Sequence, residues 1–244
     1  MISKNELKYI QSFAHKKQWA QESVFIAEGP KVVGELLDSD WEVEAVYGLE
    51  SWAKETNHSI PHLTIVSEEE LERMSLLQQA NQVIAIVKKK QYHSPMKYQG
   101  NFTLVLDGIQ DPGNLGTIIR TFDWFGGTQI IVTEDTAGVY NPKVVQSTMG
   151  SFLRVRVEVV QDMTSILALQ NLPVYGALLE GTSMYQTAFQ QEGFLIIGNE
   201  SKGIRTDLLP LITEAISIPQ FGQAESLNAA VATGIILSHW KKHN

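Results

Sequence analysis

Short β-branched and aliphatic runs recur along this chain with helical stretches between them, and that alternation limits the possible fold more than any other feature. In the first part VFIA (24–27), EVEAVY (42–47), LTIV (63–66) and VIAIV (83–87) are interleaved with helical stretches near 30–38 and 68–79. FTLVL, QIIV, VRVEVV, PVYGALL, FLIIG and AISI follow, again with helical segments between them. Runs this short and this apolar are buried strands, and strands separated by helices are joined by crossovers, the signature of a mostly parallel sheet. The expectation is α/β architecture throughout, a small α/β domain followed by a larger one.

The stretch KKKQYHSPMKYQG (88–100) is basic, carries Pro95 and Gly100, and lacks a periodic apolar face. It reads as the linker. The expected division is therefore a first domain over 1–95, a basic linker end over 96–100 and a second domain over 101–244. Within the second domain Leu115, Ile118, Ile119, Phe122 and Phe125 fall at helical spacing, which predicts a helix over about 115–125 with Asn114 as N-cap and Gly126-Gly127 ending it. Later, SLNAAVATGIILSHW predicts a helix capped by Ser226, with Leu227, Ala230, Val231, Gly234 and Ile235 on one face. Its small residues allow close packing, within the chain or against another subunit.

Composition excludes several chemistries. The chain has no cysteine, so disulfide frameworks, thiol nucleophiles and cysteine-ligated metals are all ruled out. No run approaches the ~20 apolar residues of a membrane helix, and the amphipathic N-terminus is unlike a signal peptide, so a cytoplasmic protein without membrane contact is expected. Nineteen basic against 27 acidic residues, a formal charge of −8, argues against indiscriminate coating of nucleic acid. Local charge differs: Lys88, Lys89, Lys90 and Lys97 have no acid among them, and Lys4, Lys8, Lys16 and Lys17 face Glu6 alone. Such patches either track a phosphate backbone or are solvated faces.

Familiar sites are absent. GIQDPGNL has two glycines separated by four residues, but Asn114-Leu115 stands where a phosphate loop needs Lys-Ser or Lys-Thr. No G-x-G-x-x-G follows a strand and no G-x-S-x-G elbow occurs. The pairs His58/His62 and His239/His243 lack a supporting carboxylate motif, and no metal site is expected.

Three segments resist a purely structural explanation: LDGIQDPGNLGTIIRTFDWFG, FLIIGNESKGI and ISIPQFGQAESLNAAVATGIIL. Each runs from a strand through a polar turn, at the strand end where open α/β sheets place ligands. Taken singly, Asn114 and Ser226 are explained as helix caps, Glu200 as a solvated acid and Arg120 as a surface arginine. Taken together, the three loops would build a cleft with an arginine, a carboxylate, amides and hydroxyls, suited to an anionic or hydroxyl-rich substrate.

These segments resemble the three motifs of the SpoU/TrmH-type RNA ribose 2′-O-methyltransferases of the SPOUT superfamily. The matching pieces are DPGNLGTIIRT with Asn114 and Arg120, IIGNESKGI with Asn199 and Glu200, and IPQFGQAESLNAAVA with Ser226 and Asn228. They span about residues 102–240, in the family's order. SVFIAEGPKVVGELL resembles the family's small substrate-binding domain of the ribosomal-protein L30e type. The resemblance implies a deep trefoil knot in the C-terminal domain, a homodimer formed through that domain, and S-adenosylmethionine held near Gly198, Asn199, Ile218 and Leu227.

It also implies that a ribose 2′-hydroxyl of RNA attacks the cofactor's methyl group. Arg120 would then hold the adjacent phosphate and stabilise the developing alkoxide, because a guanidinium is a poor proton acceptor at neutral pH. Asn114 would orient the ribose or a phosphate, with Glu200, Ser226 and Asn228 completing the cleft. Lys88, Lys89, Lys90, Lys16 and Lys17 are the candidate RNA contacts. Two departures stand out: Ser201 follows Glu200 where many relatives have glycine, and Asn228-Ala229-Ala230-Val231 replaces the commoner Asn-Val-Ser. MGSFLRV (149–155) resembles a segment of members acting on ribosomal rather than transfer RNA. The alternatives are a noncatalytic RNA-binding or assembly protein that keeps the knotted fold, and a methyltransferase acting on a base or small molecule.

Overall fold

A computed structural model describes residues 2–243. The chain forms two compact units, one of residues 1–93 with 138–153, the other of 94–137 with 154–244. The first begins with α1 (Lys4–Ser12), started by a capping box in which Ser3 accepts from the Glu6 N–H and the Glu6 carboxylate accepts from the Ser3 N–H. There follow α2 (Lys16–Gln21), β1 (Val24–Glu28), α3 (Pro30–Leu37), β2 (Val43–Gly48), α4 (Glu50–Glu55), β3 (Leu63–Ile65), α5 (Glu68–Met74) and β4 (Val83–Lys88). The four strands lie in the order β1-β4-β2-β3, with β4 antiparallel to both neighbours and β2 parallel to β3.

Side chains alternate across a strand, and both faces of this sheet are covered. Val24, Ile26, Ile84 and Ile86 pack with Leu7, Ile10 and Phe13, while Phe25, Ala27, Val83, Ala85 and Val87 pack with Val33, Leu36 and Trp41. The near-continuous apolar runs in the sequence reflect this double burial.

The second unit carries β5 (Phe102–Leu106), α6 (Pro112–Trp124) and β6 (Gln129–Val132). Then α7 (Pro142–Thr148) belongs to the first unit, where it packs on β1 and where Val145 and Phe152 join the cluster of Phe25 and Trp41. A division at one linker did not foresee this excursion of 138–153. The chain returns through β7 (Arg156–Val159), α8 (Met163–Leu169), β8 (Val174–Ser183), β9 (Gly193–Ile197), β10 (Glu214–Ser217) and α9 (Ala229–His243). The six strands lie in the order β10-β8-β9-β5-β6-β7, every pair parallel. Val105, Ile131, Phe194 and Ile196 share one core cluster, and their alternates Leu104, Leu106, Ile130, Val132, Leu195 and Ile197 are buried as well.

The expected linker is only partly free. Met96 is buried in the core of the second unit and the Tyr98 ring lies 5.3 Å from that of Phe194, so two apolar side chains anchor this basic stretch. Helices α6 and α9 run side by side, close enough that a Cβ on Gly234 would meet the Thr121 methyl at 3.6 Å. The buried side of α9 is made by Ala229, Ala230, Thr233, Ile236, Leu237 and Trp240, whereas Leu227 precedes the helix and Val231 is exposed. The buried face of α9 is therefore rotated from the expected one, toward the side that packs on α6.

Candidate functional site

Three strand-end loops of the second unit supply the candidate site, as expected. After β5, Pro112 occupies the first turn of α6 and Asp111 caps it, accepting from the Asn114 N–H at 2.8 Å. Asn114 is thus relieved of the capping role expected of it, and its side chain is available. At α9 the same correction applies. Asn228, not Ser226, accepts from the N–H groups of Ala230 (2.9 Å) and Val231 (3.3 Å). Ser226 lies exposed in the preceding loop.

The loop after β9 is folded back on itself. Asn199 and Gly203 exchange backbone hydrogen bonds at 3.1 and 2.8 Å, and Asn199 Oδ1 accepts from the N–H groups of Ser201 and Lys202. Asn199 Nδ2 donates to the Gly108 carbonyl at 2.7 Å. Gly198 is required by crowding, since a Cβ there would lie 2.4 Å from the Gly203 carbonyl carbon. Gly203 has φ +69° and open space where its Cβ would point. Asn199 therefore shapes the loop rather than standing free.

Three of the expected residues meet. Asn228 Nδ2 donates to Asn114 Oδ1 at 2.9 Å, and Asn114 Nδ2 donates to Glu200 Oε1 at 2.6 Å. The direction of this chain is fixed at its start, because Asn228 Oδ1 must face the two helix N–H groups and so turns its NH₂ toward Asn114. Donors thus run from the α9 N-terminus through two amides to the Glu200 carboxylate, one residue from each of the three motifs.

Arg120 is not part of this trio. It lies six residues beyond Asn114 on α6, about 9 Å along the axis and two-thirds of a turn around it. It is exposed and, among the described residues, has no ion pair or hydrogen bond. Ile218 is half-buried and Leu227 is 44% exposed, two apolar side chains close in sequence to the polar trio and open to a ligand. Among the described residues no group of three or more histidine, cysteine, aspartate or glutamate side chains could hold a metal.

The basic triplet is spent internally. Lys88 pairs with Glu42, Lys89 donates to the Trp19 carbonyl at 2.6 Å and sits over the Tyr140 ring, and Lys90 pairs with Asp40 at 2.7 Å. Burial holds Lys89 below the ordinary lysine range. Lys16 and Lys17 are exposed.

Sequence reasoning missed a second polar cluster behind the loop. Asp107, 1% exposed at the end of β5, accepts from Arg205 through both the backbone N–H (2.7 Å, to Oδ2) and Nε (to Oδ1). Arg205 Nη2 reaches Asp135, which also accepts from the Thr133 hydroxyl at 2.8 Å. Burial acts to raise the Asp135 pKa, but the hydrogen bonds from Thr133 and Arg205 outweigh it and hold the carboxyl below its usual value. The only sequence signal was a lone arginine immediately after the GNESKGI loop.

Comparison with known proteins places these features in context. Residues 101–238 match the SpoU rRNA Methylase family, and residues 4–85 match the MRM3-like substrate binding domain. The chain is 32% identical over 231 residues to the 23S rRNA (guanosine(2553)-2′-O)-methyltransferase RlmP of Bacillus subtilis, covering 92% of this chain and 91% of that one. It is 34% identical over 140 residues to the 23S rRNA (guanosine-2′-O-)-methyltransferase RlmB of Escherichia coli, covering 56% and 58%. Among solved structures, a TrmH-family protein from Porphyromonas gingivalis superposes with TM-score 0.90 at 33% identity over 100% of both chains. An AdoMet-bound rRNA methyltransferase from Sinorhizobium meliloti superposes with TM-score 0.86 at 29% identity, covering 100% of this chain and 96% of that one.

Proposed function

The chain belongs to the SpoU rRNA methylase family, and from that premise we propose that it transfers a methyl group from S-adenosylmethionine to the 2′-hydroxyl of a guanosine ribose in 23S ribosomal RNA. The observation that carries this reading is the hydrogen-bonded chain Asn228–Asn114–Glu200, which joins all three motifs in one place. S-adenosylmethionine supplies a methyl group on a cationic sulfonium, and the residues beside the trio fit it. Ile218 and Leu227 offer apolar surface to an adenine, and Gly203 leaves open space on the loop that carries the Glu200 carboxylate.

Methyl transfer is an in-line displacement, so aligning the ribose hydroxyl is the main task of the chain. Asn114 is held rigid by a donor on one side and an acceptor on the other, which suits it to fix the ribose or its phosphate. Glu200 is the carboxylate placed to order this network or to take the hydroxyl proton. Arg120, an exposed cation without a partner among the described residues, suits a phosphate and the developing alkoxide.

The separation of Arg120 from the trio supports a homodimer in which Arg120 serves the site of a second copy. An open groove of about 790 Å³ along α9, lined by Met184, Tyr185, Val231, Gly234 and Ile235, supplies apolar surface for such pairing. Trp124 on α6 is 83% exposed and adds apolar surface to the second unit. The deep trefoil knot belongs to the same reading and is supported by the likeness to solved structures of the family. The first unit, matching a substrate-binding domain, engages structured RNA, with Lys16 and Lys17 better placed than Lys88, Lys89 and Lys90. Among the described residues no helix is long and apolar enough to cross a membrane, and ribosomal RNA as substrate agrees with a cytoplasmic location.

The test is transfer of labelled methyl from S-adenosylmethionine to 23S rRNA lacking its modifications, followed by nucleoside analysis. A 2′-O-methylguanosine product supports the reading. Label on a base overturns the ribose assignment, and cofactor binding without transfer to any rRNA or ribosomal precursor favours a noncatalytic RNA-binding protein.

A further inference from the structure

Arg205 does not belong to the trio, yet its guanidinium is held between two carboxylates near the site. We propose that Arg205 is a positioning residue: clamped between Asp107 and Asp135, it holds the Asn199–Gly203 loop in the shape that brings Glu200 to Asn114. The proposal rests on the assignment of this loop to methyl transfer.

The two ends of the loop are pinned to two adjacent residues just beyond β5. At its start Asn199 donates to the Gly108 carbonyl at 2.7 Å; at its end Arg205 donates twice to the Asp107 carboxylate. Asp107 is itself rooted, since its N–H donates to the Ile197 carbonyl at 2.9 Å and ties the end of β5 to the end of β9. The outer arm runs from Arg205 to Asp135, which Thr133 orders, and the Thr133 oxygen in turn accepts from the Gly108 N–H at 2.9 Å. Three strand ends, after β5, β6 and β9, are thereby stitched through one guanidinium.

Between the two pins the loop has no slack. Gly198 packs so closely on Gly203 and Ile204 that a Cβ would collide with their backbone, and Asn199 pairs with Gly203 in both directions. Glu200 leaves from the tip of this short closed turn. A shift at Arg205 is transmitted to Gly203 and Gly198 and so to the carboxylate that Asn114 meets. The geometry calls for arginine, whose Nε and Nη2 point at two carboxylates at once; an ammonium is a point charge and satisfies one of them.

The tests are Arg205→Lys, Arg205→Ala and Asp135→Asn in the full chain. Asp135→Asn keeps an accepting oxygen but removes the charge of the half-exposed outer arm, and it leaves the pair with buried Asp107, so it stays folded. For each variant we would measure kcat, the KM for S-adenosylmethionine, the KM for rRNA, the thermal midpoint, and amide hydrogen exchange over residues 199–204. The expectation for Arg205→Lys is about a tenfold fall in kcat/KM for the cofactor, from a lower kcat and a higher KM, with the KM for rRNA and the thermal midpoint unchanged and exchange at 199–204 accelerated. Asp135→Asn should lose less, in the same pattern, and Arg205→Ala should lose more, with a lowered thermal midpoint as well because Asp107 is left buried without its ion-pair partner.

Folded variants with wild-type kcat, KM and exchange would overturn the proposal, as would losses that track only a lowered thermal midpoint. If the wild type neither binds S-adenosylmethionine nor methylates RNA, the functional reading fails on its own account. The exchange comparison still decides whether Arg205 holds the loop: acceleration upholds that role and unchanged protection overturns it.

Discussion

Asn114 donates its amide to Glu200 Oε1 at 2.6 Å while its carbonyl oxygen receives a hydrogen bond from Asn228, so one side chain links residues 86 and 114 positions away. A neutral amide is required there because it must accept on one side and donate on the other. Asn114→Ala should lower the methyl-transfer rate by about 100-fold, the cost typical of losing one preorganised polar contact. Asn114→Asp should be worse at neutral pH, since it sets two carboxylates against each other, and should recover on acidification as one of them takes a proton. Single-turnover rates from about pH 5 to 8 give the answer; equal losses at every pH would remove the network from the reaction.

Arg120 stands apart from that network on the exposed side of α6, with no partner among the described residues. Its assignment to the phosphate and the transition state predicts that Arg120→Ala removes most turnover while cofactor affinity, measured by calorimetry, stays at the wild-type value. Mixing Arg120→Ala with an Asn114→Ala variant should restore part of the activity if the arginine acts on a second copy, because one site of each mixed dimer then has both residues. No restoration would place both residues in one chain's site.

The strands were legible because burial on both faces leaves a local trace, a short unbroken apolar run: Phe25 and Ala27 face one way, Val24 and Ile26 the other, and all are apolar. Helix starts were less so. Asn114 and Ser226 are good N-cap residues by type, but Asp111 before Pro112 and Asn228 before Ala229 take the positions, and local propensity does not rank two adjacent candidates. The excursion of 138–153 was invisible, since Val145 and Phe152 announce burial without saying against what. The Asp107–Arg205 pair was equally hidden. Its members are 98 residues apart, and nothing in either neighbourhood points to the other.

The lysines yield a contrast of sign. Lys88, Lys89 and Lys90 hold Glu42, the Trp19 carbonyl and Asp40, so replacing all three with alanine should alter the stability of the first unit and barely change the salt dependence of RNA binding. Lys16 and Lys17 are exposed on α2, and replacing both should flatten the plot of log affinity against log salt by about 1 to 2. The reverse pattern in filter-binding titrations would return RNA contact to the basic triplet.

Glu28 gives the first unit a pH dependence of unusual sign for a carboxylate. It is 4% exposed, and burial raises its pKa; hydrogen bonds from the Ser75 hydroxyl (2.6 Å) and the Leu76 N–H (2.7 Å) pull it down without cancelling that rise. With the folded pKa above the unfolded value, the folded state holds the proton more tightly. Glu28's contribution to stability is therefore whole below the unfolded carboxyl value of 4.5 and is lost as pH rises through the folded value. Glu28→Gln keeps the shape and can donate to the Ser75 oxygen, so it mimics the protonated acid at every pH. Thermal midpoints of the two proteins should coincide near about pH 4 and separate above it, with the variant higher by a few degrees at neutral pH. A variant that is less stable at neutral pH would mean that the ionised carboxylate, through Ser75 and Leu76, stabilises the turn after α5 by more than its burial costs.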